Sequence, residues 1–406
     1  MPDGYMHQIG SYSFKFDIIT SSKAFQRHMD YAISHDLVRD VSDDTMSELS
    51  EDKILEIPHK RYINVVQKSP TWLYLRAQAQ GTASSVGKYL KSPCRYPTLD
   101  QIRENWIDKI TKKPFQKTHT MLGHMNWGVG YEDPALIHFA REQDVGVIQV
   151  GTIRVDLNYI LALGKSIYGK KWQVLPKIVE GQHLLISPDG IVGKPEKRYF
   201  GQDGIRTEFY EDLLGMLEIK CMSPFHHVET SDNYLVWVDD IESRQWYQPE
   251  QVPFVYIVQM TLQAISGAYA YKMTPKHTMW FIRWSPHGVS IFEFSFKNLI
   301  RMGVLVCNLY FSLIQRTHSV EDVDRLYPLS GAEAEVESQM NQAYFTLMRE
   351  AKHRYVKIDD YPEFDIYNLV TQHYKFMVPD MDPELLMLDL PKNKFEEGQD
   401  LNSCLI

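Results

Sequence analysis

Met216-Leu217-Glu218-Ile219-Lys220-Cys221 is a short apolar run broken by one carboxylate and one ammonium. Side chains alternate across a strand, so Glu218 and Lys220 leave the same face of such a run. Upstream, Ser187-Pro188-Asp189-Gly190 carries a turn signature and supplies a second carboxylate. One reading of these residues is structural: Asp189 shapes a turn, and Glu218 and Lys220 pair along a strand. The chemical reading makes Asp189 and Glu218 hard oxygen ligands for Mg2+ or Mn2+, with the sideways-facing carbonyl of Ile219 as a further donor. Lys220 then lies beside a metal-bound water. Phosphodiester cleavage uses that set, because the metal offsets charge in the transition state and acidifies the water, which the lysine holds or deprotonates.

Outward from this run the pattern is mixed. Residues 183–186 and 145–153 read as strands, and 279–284 with 289–294 as a hairpin across Ser285-Pro-His-Gly288. Helical spacing covers 253–271, 296–314 and 332–354. Residues 133–141 read as a helix opened by Asp133 with Pro134 in its first turn. Strands and helices in this order predict an α/β domain with a mixed sheet. Asp189 and Glu218 are far apart in sequence, so residues 193–214 are expected to form an inserted hairpin or excursion. Residues 1–70 are expected to be a mostly helical extension, with Ser42 and Ser47 as helix starts in an acidic segment. The expected division is 1–70, a core at 71–316, and a helical extension with an acidic tail at 317–406.

Composition excludes several classes. Hydrophobic residues make up 44% and charged residues 23% of the chain, which is incompatible with a collagenous, coiled-coil or wholly disordered protein. The apolar stretch 302–314 is too short to span a bilayer, and no signal peptide is expected at the N-terminus. Cys94, Cys221, Cys307 and Cys404 are widely spaced, which fits a reducing compartment and argues against a zinc ribbon or an iron–sulfur cluster. The formal charge of −9 is concentrated in residues 29–56 and 357–406, so the remaining body is mildly basic. Such a body can bind a polyanion locally, since the field in a groove depends on nearby charge.

Pro188-Asp189 followed by Glu218-Ile219-Lys220 resembles the PD-(D/E)xK nuclease signature. Around it, Trp72 and Arg76 with Thr82-Ala83-Ser84 resemble the opening motif of the YqaJ-type viral recombinases. Trp127-Gly128 with Tyr131-Glu132 and Tyr256-Ile-Val-Gln259 resemble that family's W-G-x-x-Y-E and Y-x-x-Q motifs, in the family's order. The chain is thus similar to lambda-type exonucleases and the alkaline exonucleases of large DNA viruses. The resemblance implies a restriction-endonuclease-like core: a mixed sheet flanked by helices, with helical N- and C-terminal additions. It implies that Asp189, Glu218 and the Ile219 carbonyl hold two ions of Mg2+ or Mn2+, joined by Glu132 directly or through water. Lys220 would be the catalytic lysine, and Gln259 would position the nucleophilic water or the scissile phosphate. Arg76, Ser84 and Ser187 would cradle a terminal 5′-phosphate, a role suited to a bidentate guanidinium and compact hydroxyls.

The activity so implied is 5′ to 3′ exonuclease digestion of duplex DNA ends in viral replication and recombination. The expected setting is intracellular, in the nucleus or cytoplasm of an infected cell, with no membrane partner. A single-strand annealing protein is the expected companion, and the enzyme would work as a monomer or a ring-shaped homo-oligomer. Other readings are an endonuclease or RNA-processing nuclease of the same fold, or a DNA-binding protein that has lost turnover. Each residue also has a structural reading. Trp72 and Trp127 would pack a core, Glu132 would favour a helix N-terminus, and Arg76 would pair with a carboxylate. Gln259 and Gln263 would form a solvent-facing polar stripe. His226-His227 point to opposite faces of an extended segment and make a poor metal pair.

Overall fold

The computed structural model describes residues 79–112, 128–222 and 252–357 with short breaks, together with Arg76 and six outlying strand segments. Strands are β1 Tyr5–Ile9, β2 Tyr12–Phe16, β3 Val38–Asp40, β4 Tyr62–Asn64, β5 Gly81–Thr82, β6 Gly146–Ile148, β7 Thr152–Asp156 and β8 His183–Ile186. They continue as β9 Gly190–Gly201, β10 Gly204–Cys221, β11 Phe225–Val228, β12 Tyr234–Trp237, β13 Thr278–Ser285, β14 Gly288–Ser295 and β15 Lys352–Lys357. The α-helices used below are α1 Ala83–Val86, α2 Leu99–Thr111, α3 Leu157–Tyr168, α4 Phe254–Tyr271, α5 Phe296–Arg316, α6 Val320–Asp324 and α7 Gly331–Glu350.

Two sheets build the domain. The larger has the order β15-β14-β13-β10-β9-β6, with β10 and β13 parallel and the remaining neighbours antiparallel. The second has the order β3-β4-β7-β8-β5. Parallel strands need a crossover, and α4 supplies it between β10 and β13. That helix is apolar on nearly every face because it lies inside the fold, packed against α5 and α1. By length and composition α5 is apolar enough to cross a membrane, yet most of it is buried, against α4, α7 and α3.

Residues 187–189 carry the chain from β8 in the second sheet to β9 in the first, so Asp189 stands where the two sheets meet. The expected excursion at 193–214 is a long antiparallel hairpin of β9 and β10 turning between Gly201 and Gly204. Within β10, Gly215 pairs with Val192 on one side and Thr278 on the other. A Cβ there would lie 1.7 Å from the Thr278 carbonyl oxygen, a backbone atom that cannot swing aside. Gly215→Ala is therefore expected to lower stability by about 3 kcal/mol through overpacking. An unchanged urea midpoint would show that the β10–β13 pair can open at this point.

Several expectations are corrected. The run at 145–153 is two strands rather than one: β6 pairs with β9, whereas β7 pairs with β4 and β8. Hydrophobic periodicity cannot detect a strand that changes sheets. Tyr131 and Glu132 are helical, as are residues 135–136 and 138–140, and Tyr131 stacks on Trp284 at 5.4 Å, whereas Asp133 and Pro134, expected to open the helix, lie outside the described residues. The helix expected to reach 354 ends at Glu350, and Lys352–Lys357 becomes the edge strand beside β14. This pairing ties residues beyond 317 into the main sheet, just as β4 ties part of 1–70 to β7. The described residues of 1–70 are strands rather than helices, and Ser42 and Ser47 lie outside the described residues.

Candidate active site

Register brings the charged groups together. Leu217 pairs with Gly190, so the residue before Gly190 meets the next stretch of β10, and the Ile219 N–H donates to Asp189 Oδ2 at 2.7 Å. Glu218 is fully buried, with its side chain directed toward α4. Gln259 Nε2 donates to its Oε1 at 2.6 Å, and Gln263 Nε2, one helical turn on, donates to Oε2 at 2.5 Å. Lys220 Nζ contacts Glu218 Oε1 and donates to the Ile219 carbonyl at 3.1 Å. The ammonium also sits 5.3 Å from the centroid of the Tyr256 ring, a cation–π distance. Asp189, Glu218, Ile219, Lys220 and Gln259 thus form one connected cluster. Gln259 and Gln263 are buried donors rather than the solvent-facing stripe that their spacing also allowed.

The electrostatics are those of crowded acids. Asp189 is pushed well above the usual carboxylate range, first by burial, then by repulsion from Glu218 and Glu132, with Lys220 and the Ile219 N–H opposing. Glu132 is therefore close enough to be felt at Asp189. For Lys220, burial alone would lower the pKa, but the charges of Glu218 and Asp189 outweigh it and hold the amine protonated.

This donor set suits a hard cation. Lys220 Nζ already places a positive charge against Glu218 Oε1 and the Ile219 carbonyl, two oxygens that a divalent ion would take. Among the described residues no three His, Cys, Asp or Glu side chains form a metal cluster by themselves. Two carboxylates and a carbonyl match Mg2+, which keeps several of its waters. Without metal, Asp189 makes the fold lose stability as pH rises above its ordinary 3.8, because the folded state prefers the protonated form. Metal-free Asp189→Asn is thus expected to melt about 2 °C or more above the parent at neutral pH, with the gap closing toward about pH 4. A pH-independent gap in a melting series would contradict this.

The second cluster lies at the ends of β5 and β8. These strands are parallel with Thr82 opposite Leu185, so Ser84 and Ser187 each follow the last paired position by two residues. Arg76 donates to Ser84 Oγ at 3.2 Å, and Ser187 Oγ lies 2.8 Å from Thr152 Oγ1. Lys88 belongs here too. Its pKa is lowered by burial and then by the Arg76 charge, and burial lowers Arg76 as well. Two cations beside a row of hydroxyls make a site suited to an anion.

Sequence reading assigned no catalytic or binding role to Gln263, Lys88, Thr152, Tyr256 or Arg283. Arg283 pairs in register with Lys220 on the adjacent strand, and burial pushes its pKa down to about 10, against Tyr256. A lone arginine in Met279-Trp280-Phe281-Ile282-Arg283-Trp284, and two glutamines in an otherwise apolar helix, were the available signals. Trp72 and Trp127 lie outside the described residues.

A mixed sheet, a crossover helix and an acid–lysine strand at the junction of two sheets define a nuclease fold of the restriction-endonuclease-like kind. Residues 71–270 match the model of the YqaJ-like viral recombinase domain, a family whose members are generally nucleases associated with recombination. Among curated proteins none matches the chain.

Proposed function

We propose that the protein is a divalent-cation-dependent deoxyribonuclease that degrades duplex DNA from 5′-phosphorylated ends, 5′ to 3′, in viral replication and recombination. The observation that carries this reading is the convergence of Asp189, Glu218 and Lys220, from a turn and an adjacent strand, around the Ile219 backbone. In this reading Asp189, Glu218 and the Ile219 carbonyl hold Mg2+ or Mn2+, with Glu132 adding negative charge nearby. When bound, the ion offsets charge on the phosphoryl group and lowers the pKa of the attacking water.

The chain's own groups do the rest. Lys220 donates toward the water and the scissile phosphate, and the Tyr256 ring limits where its ammonium can go. Gln259 holds Glu218 through Oε1, the oxygen that also meets Lys220. Arg76, Ser84 and Ser187, with Lys88, hold the terminal phosphate, so the chain end is fixed while the first internal linkage is cut.

End-labelled linear duplex is the direct test. Mg2+-dependent release of nucleotides from 5′-phosphorylated ends, abolished by EDTA, is the expected result. Cutting of a covalently closed circle at a comparable rate would replace the exonuclease assignment with an endonuclease of the same fold.

A further inference from the structure

Glu218 is held at both of its oxygens by one helix, and the two contacts have different consequences. Gln259 donates to Oε1, the oxygen that also meets the Lys220 ammonium. Gln263 donates to Oε2, which has no other partner among the described residues. Gln263 itself is fully buried, and its own Oε1 has no hydrogen-bond partner. A buried amide oxygen without a donor costs about 1–3 kcal/mol, which leucine or methionine at this position would avoid. Turning the amide over would not relieve this cost, because its oxygen would then face a carboxylate. The sequence therefore keeps a locally unfavourable group whose single contact is Glu218 Oε2.

We infer that Gln263 is a positioning residue that makes Glu218 an end-on ligand and so selects a small divalent cation over Ca2+. Both oxygens accept from the helix, but Oε1 is the one that also faces the Lys220 ammonium beside the Ile219 carbonyl, so with Oε2 held by Gln263 it is Oε1 that Glu218 turns toward a cation. The cation already present shows the same asymmetry, since Lys220 Nζ touches Oε1 and the Ile219 carbonyl but not Oε2. Mg2+ accepts single oxygens from one or two carboxylates and retains water in an octahedron. Ca2+ takes six to eight oxygens and commonly draws both from one carboxylate. Freeing Oε2 supplies that extra oxygen. This inference rests on the reading of Glu218 as a metal ligand and adds the reason for its ion preference.

The test measures Mg2+ and Ca2+ binding to the full chain by calorimetry, for the parent, Gln263→Leu, Gln263→Met and Asp189→Ala, with melting curves to establish folding. In both Gln263 variants the ratio of Ca2+ to Mg2+ affinity is expected to rise about tenfold, corresponding to one gained carboxylate oxygen. Asp189→Ala should lose both ions. Unchanged binding in Asp189→Ala would remove the metal-site reading itself. Loss of binding there with an unchanged ratio in the Gln263 variants would remove only the role of Gln263. If neither variant folds, infrared difference spectra of the parent decide the point. A widely split pair of carboxylate stretches on Mg2+ addition supports end-on ligation by Glu218, and the narrow splitting of a chelating carboxylate overturns it.

Discussion

Lys220→Ala is expected to lower the rate of DNA hydrolysis by about 10³-fold or more at saturating Mg2+, since it removes a charge aimed at the developing transition state. The same change has a second, opposite signature in metal binding. In the parent, the ammonium lies against Glu218 Oε1 and the Ile219 carbonyl, where it would compete with an incoming ion. Its removal leaves Glu218 and Asp189 without their counter-charge, so the metal-free variant should lose about 3 kcal/mol of stability. Mg2+ should restore most of it, and should raise the melting temperature of the variant more than that of the parent. A purely structural ion pair predicts otherwise: activity would follow the folded fraction, and Mg2+ would not rescue stability. Calorimetric titration of parent and variant, beside single-turnover hydrolysis, separates the two. Weaker Mg2+ binding by Lys220→Ala would refute the competition.

Much of the candidate acid–lysine cluster was legible because it is local. Glu218 and Lys220 share a strand face by alternation alone, and the family signature joins Asp189 to them across a gap that the chain fills with the β9–β10 hairpin. The partition between two sheets was not legible. The run at 145–153 reads equally well as one strand, and only pairing partners reveal that β6 and β7 belong to different sheets. β15 was hidden for a similar reason: nothing in Ala351-Lys352-His353 breaks a helix, and the free edge of β14 decides its conformation. Gln263 shows a third limit. Two polar residues four apart on a helix describe a stripe, but whether that stripe meets water or a buried carboxylate depends on the crossover geometry of α4. Clusters set by alternation are readable from the chain, whereas those set by which surfaces meet are not.

Arg76→Gln is expected to cost roughly 10- to 100-fold in kcat/KM on 5′-phosphorylated ends and little on 5′-hydroxyl ends, so that most of the preference between them disappears. Lys88 is the neighbouring cation. Burial lowers its pKa from 10.5, and the neighbouring Arg76 charge lowers it further. A phosphate dianion between the two cations would relieve both penalties, which is the expected source of affinity for phosphorylated ends. The pH dependence follows with a definite sign. Lys88 loses its proton below 10.5 in the free protein, so affinity for phosphorylated ends falls as pH rises toward that value. Removing the Arg76 charge takes away part of the depression, so the alkaline fall should move to higher pH in Arg76→Gln even though overall affinity is lower. Lys88→Gln should instead abolish the fall while retaining part of the phosphate preference through Arg76 and Ser84. Profiles of KM against pH for both variants on both kinds of end would measure this. Parallel profiles for parent and Arg76→Gln would show that the two side chains do not share one phosphate.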